Sequence, residues 1–91
     1  MPEVWIPTAM QKLTGGKQRV QVAGATIRQV VNNLEKAYPG IKGRLCDPEE
    51  DELLPGVAVT VDGEVSLLGM MEAVNEGSEV HFLPAIGGGV G

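Results

Sequence analysis

The sequence predicts an α+β fold in which one long helix packs over one face of a sheet. Three observations carry that expectation. Several short segments alternate apolar and polar residues with the period of two that marks a half-buried strand. A single stretch beginning at Ile27 instead repeats its apolar residues at the spacing of a helix stripe. The order of these segments is strand, strand, helix, strand, strand, strand, and 91 residues suffice for one hydrophobic core but not two.

Residues 3–7 read as the first strand, with Val4 and Ile6 on one face, Trp5 on the other, and Pro7 ending the ladder. Thr14-Gly15-Gly16-Lys17 supplies turn chemistry before residues 18–22, where Val20 and Val22 share a face, so the two segments form a hairpin with a long loop. Thr26 occupies a helix N-cap position, and Gln29 three residues later completes a capping-box pattern. Ile27, Val30, Val31, Leu34 and Ala37 then form the buried stripe, with Arg28, Asn32, Asn33, Glu35 and Lys36 facing water until Pro39-Gly40 stops the helix. Residues 41–46 suit a short helical turn, and residues 47–52, rich in carboxylates, an acidic surface loop. Val57, Val59 and Val61 resume the strand period before Asp62-Gly63, the signal of a type I′ turn, with residues 64–67 as the return strand. A short turn at Gly69 and the pair Glu76-Gly77 lead to a last strand over residues 78–83, with Val80 and Phe82 inward.

Composition narrows the function. With 43% hydrophobic and 21% charged residues, the chain has the make-up of an ordinary globular domain. A net charge of −5 and only three aromatic residues oppose binding to nucleic acid, which needs surplus cations and stacking platforms. The same charge favours steering toward basic protein surfaces. The first residues, with Glu3 among them, lack the cationic start of a secretory signal, and no apolar run reaches the roughly 20 residues that span a bilayer. The lone Cys46 forms no intramolecular disulfide and has no partners for a zinc site, and a reducing cytoplasm is the expected setting. Cys46 reads as a core residue, His81 as solvent-facing and Arg44 as a surface cation.

The most informative stretch is Gly87-Gly88-Gly89-Val90-Gly91, where four of five residues are glycine. Such a segment has almost no side chains to pack and high backbone entropy, so residues 1–86 are expected to form the domain and residues 87–91 a flexible tail. Backbone without Cβ atoms can thread a narrow channel and bring a terminal carboxylate to an active site elsewhere. A phosphate-binding loop would place its glycines before a helix, and no helix follows. Thr14-Gly15-Gly16-Lys17 fails as a nucleotide loop too, because Gln18 follows the lysine. A frayed terminus is the plain alternative reading of the tail.

Context favours chemistry. Ile6-Pro7-Thr8, Thr14-Gly15-Gly16, Gly24-Ala25-Thr26, Tyr38-Pro39-Gly40-Ile41, Arg44-Leu45 and Leu83-Pro84-Ala85-Ile86, in that order, resemble the ubiquitin-like sulfur carriers across nearly the whole chain. That family includes the small subunit of molybdopterin synthase, the thiamine sulfur carrier and the cysteine-forming carrier, and the resemblance is closest to the last. It implies a ubiquitin-like β-grasp with a mixed sheet, and carriage of sulfur as a C-terminal thiocarboxylate in cysteine or molybdopterin biosynthesis. It implies a carrier rather than an enzyme, binding no cofactor or metal itself. A ubiquitin-activating-like adenylyltransferase uses ATP to activate the tail, and a cysteine synthase-like enzyme or the molybdopterin synthase large subunit takes the sulfur. Carriers of this kind end in Gly-Gly, which maps to Gly88-Gly89. The expected reactive residue is therefore Gly89, after a tail-processing protease removes Val90 and Gly91, or Gly91 if the chain is used unprocessed. Leu83 and Ile86 at the tail root, and Trp5 on the outer sheet face, are the candidate partner contacts. The rival reading is a ubiquitin-like interaction module whose tail is never activated.

Overall fold

A computed structural model describes residues 1–47 and 49–84. The first alternating segment forms β1 (Glu3–Trp5), which pairs antiparallel with β2 (Arg19–Gln21) and sets Val4 opposite Val20. The connection holds an element that the alternation did not reveal, a 3-10 helix over Thr8–Thr14 that buries Met10. Buried Thr14 holds its C-terminal end by placing its hydroxyl 3.1 Å from the Gln11 carbonyl and 2.9 Å from that of Lys17.

The main helix, α1 (Ile27–Ala37), starts where the capping pattern put it, with Thr26 Oγ1 accepting from the Gln29 backbone N–H at 3.2 Å. The return bond differs from the expected one. Gln29 Oε1 accepts from the Ala25 N–H at 2.8 Å, one residue before the cap. Ile27, Val30, Val31 and Leu34 are all fully buried, but Ala37 is exposed, because the stripe leaves the core one turn before the helix ends. Tyr38 and Leu13, both partly buried, pack against the core instead. Gly24 precedes the helix at a close approach: a Cβ there would sit 2.8 Å from both the Val30 backbone nitrogen and its Cγ2.

Beyond α1, Glu35 turns back from the expected water-facing side and accepts backbone N–H groups of Gly40 and Lys42, at 3.0 and 2.9 Å, stapling α1 to α2 (Lys42–Leu45). The acidic segment is not a plain loop: β3 (Cys46–Asp47) and β4 (Glu52–Leu53) close it into a two-stranded hairpin with Cys46 opposite Leu53. Next come β5 (Ala58–Val61) and β6 (Glu64–Val65), joined by Asp62 and Gly63 with φ of 52° and 87°, the two positive values of a type I′ turn. The return strand stops at Val65, short of Leu67, and the chain makes a 3-10 turn over Gly69–Met71 before β7 (Glu79–Leu83).

The five-stranded sheet has the order β2-β1-β7-β5-β6. It is mixed, because β7 runs parallel to β1 and antiparallel to β5. Val4, Val20, Val59, Val80 and Phe82 line the face that α1 covers, and Ile41 and Leu45 close its flank. Burial of each such side chain contributes on the order of 1.5–3 kcal/mol. One helix grasped by one mixed sheet is the expected β-grasp.

Candidate functional site

The tail leaves the fold from β7, the middle strand. Ala85, Ile86, Gly87, Gly88, Gly89, Val90 and Gly91 lie outside the described residues, so the site that can be built is the platform at their root. Alternation along β7 sends Val80 and Phe82 inward and turns Glu79, His81 and Leu83 toward the face without a helix. Leu83, two residues before the undescribed segment, is 47% exposed.

On that open face, register aligns one residue from each strand in a row: Arg19, Trp5, His81, Thr60 and Val65. Leu83 stands opposite Ala58 in the adjacent row. The Trp5 and His81 rings stack at 5.0 Å between centroids and 10° between planes, and the Arg19 guanidinium lies 5.1 Å from the indole centroid. His81 is therefore held against the sheet rather than pointing freely into solvent, with Nε2 3.3 Å from a Glu79 carboxylate oxygen. Trp5 takes the outer position expected of it. Among the described residues its buried Nε1–H finds no acceptor, a shortfall that costs roughly 1–3 kcal/mol. Beside it, a cleft of about 320 Å³ opens between Trp5, Pro7, Thr8, Gln18 and His81.

This platform is equipped to bind, not to catalyse. Cys46 is buried far from the open face, with Sγ 3.6 Å from Met70 Sδ, and burial pushes its thiol up to about 11, so it stays protonated near neutral pH. Among the described residues no three His, Cys, Asp or Glu side chains gather as metal ligands. No helix among them is long and apolar enough to cross a membrane. Arg44 is exposed, as expected. Sequence reasoning singled out Trp5 and Leu83 but not Arg19, Thr60 or Val65, whose membership in the row follows only from which strands are neighbours.

The family model described as the ThiS family matches residues 4–89. The sulfur carrier protein CysO of Mycobacterium tuberculosis is 37% identical over 89 residues, spanning 94% of this chain and 96% of that protein. In the crystal structure of the Amycolatopsis orientalis BexX/CysO complex, a chain 33% identical superposes with a TM-score of 0.89 over 98% of this chain and 100% of its own length. The crystal structure of Mycobacterium tuberculosis CysO gives a TM-score of 0.87 at 35% identity, over 94% of this chain and all of that one.

Proposed function

Because this chain belongs to the ThiS family of ubiquitin-like sulfur carriers, we propose that it delivers sulfur for cysteine biosynthesis from a thiocarboxylate at the end of its glycine tail. The observation that carries the reading is the near full-length likeness to CysO in both sequence and fold. It is a carrier that works with partner enzymes, as its relatives are named to be, and not a catalyst itself.

In the proposed cycle, an adenylating enzyme joins the terminal glycine carboxylate to AMP, releasing pyrophosphate from ATP. The acyl–adenylate bond makes the carbonyl electrophilic. Sulfide from a donor attacks it, AMP leaves, and the tail ends in a thiocarboxylate, a better nucleophile than the carboxylate it replaced. That sulfur then attacks an activated carbon on the acceptor held by the second enzyme. ATP is consumed by the activating partner, and this chain holds no cofactor of its own.

Gly89 is the proposed reacting residue, after removal of Val90 and Gly91. The end of the family match at residue 89 supports that boundary. Leu83, Ile86 and Trp5 are proposed to seat the partners, supported by the exposure of Leu83 and the unpaired indole N–H beside the root. The BexX/CysO complex, in which a relative is held by another protein, supports enzyme partners in general. A cytoplasmic setting suits a cycle that consumes ATP.

The test offers chains ending at Gly91, Gly89 and Ile86 to an adenylating partner with ATP and sulfide, and reads intact mass. The chain ending at Gly89 should exchange one oxygen for sulfur, and the chain ending at Ile86 should stay uncharged with its fold intact. Absence of charging in both longer chains would return the protein to the rival class of interaction modules.

A further inference from the structure

A second apolar surface lies away from the tail root, beyond β6 at the edge of the sheet. The loop over residues 66–72 exposes Leu67 by 95%, Leu68 by 62% and Met71 by 71%, while Met70 between them plugs into the core. These side chains border a groove of about 400 Å³ whose other walls are Leu53 and the Arg28–Asp51 ion pair, 2.8 Å apart.

The loop that displays them is fixed. Ser66 Oγ accepts from the Leu68 and Gly69 N–H groups at 3.0 and 3.1 Å, while its own proton goes to Glu72 at 2.6 Å. Glu72 and Ala25 carbonyls accept from Ile27 and Val74 on either side of the Thr26–Ala73 bridge, which ties the loop to the start of α1. Apolar side chains held outward on an ordered backbone lose little entropy when a partner covers them.

Charge selects the occupant. Asp51 and Glu52 rim the groove, and exposed Glu49 and Glu50 stand at the tip of the neighbouring hairpin. Arg28 is the cation in the groove wall, and Asp51 already engages it. A second copy of this chain, with net charge −5, would bring acid against acid. We propose that this groove receives an apolar side chain flanked by Lys or Arg on the surface of the adenylating enzyme, as an anchor separate from the tail root. The inference rests on the carrier reading above. Its physical logic is orientation: a grip at β7 alone leaves the body free to turn about the tail, and a second contact at the β6 edge fixes it.

The experiment measures pyrophosphate release by the purified adenylating enzyme as a function of carrier concentration. Substituting Leu68→Ser with Met71→Ser should raise KM about tenfold or more, with kcat at saturation unchanged, because the loss falls on docking and not on the tail. Glu49→Lys with Glu50→Lys should raise it as well, and the wild-type KM should climb with salt. If the double serine variant loses its cooperative melt, Leu67→Ser, at a side chain almost wholly in water, carries the same test. An unchanged KM in these variants alongside a raised KM for Leu83→Ser overturns the groove and leaves the carrier reading standing. A wild-type chain that is never adenylated sinks both.

Discussion

Phe82 and Leu83 are neighbours on β7, yet one is 3% exposed and the other 47%. The difference between the two faces of this sheet is a division of labour written at a period of two. Inward residues supply the burial that makes the domain stable, and outward residues, freed from that duty, form the row from Arg19 to Val65 beside the tail root. A β-grasp needs a helix on only one side, so the other side is left for partners.

The sharpest way to break that division is to substitute adjacent residues. Phe82→Ala should cost about 3–5 kcal/mol, seen as a lower denaturant midpoint, through lost transfer energy and the cavity left under α1. Gly24→Ala should follow at about 1–3 kcal/mol, because its Cβ would press on the Val30 backbone and the helix start would have to move. Trp5→Phe should change stability by less than about 1 kcal/mol, since the N–H it removes has no acceptor among the described residues. Leu83→Ser should stay within about 0.5 kcal/mol of wild type by the same measurement, yet slow charging of the tail. Equal losses for Phe82→Ala and Leu83→Ser would end the comparison.

The smallest expected effect is visible only in acid. Hydrogen bonds from the Gly40 and then the Lys42 N–H groups hold the Glu35 carboxyl below its ordinary value of 4.5. The unfolded chain therefore binds that proton first as pH falls. The contribution of Glu35 is complete above the ordinary carboxylate value and fades as pH drops through the lower folded one. Thermal melts of Glu35→Gln and wild type should differ at pH 7 and converge toward pH 3. A gap that stays constant with pH would assign the difference to packing.

Most of the sheet and all of α1 were legible because Val4, Val20, Val59, Val80 and the Ile27-to-Leu34 stripe obey local periods. What escaped lacked a period or depended on distant partners. The 3-10 helix over Thr8–Thr14 is too short to display a stripe, and its Met10 is placed by the core. Two-residue strands at Cys46 and Glu52 carry no alternation, so the acidic run read as a loop. Ala37 fits the helical spacing but lies past the last contact. The Trp5–His81 stack requires knowing that β1 and β7 lie side by side, which nothing near either residue states. The glycine tail, in contrast, was legible from composition alone.

The parallel pairing of β1 with β7 also governs when this molecule can exist. The strand made first finds its permanent central neighbour only when residues 79–83 have cleared the ribosome, so the nascent chain must wait, essentially unfolded, until synthesis is nearly over. A message cut short before those codons would yield no native body, and any chain able to display its terminus is one whose translation ran to the end of β7.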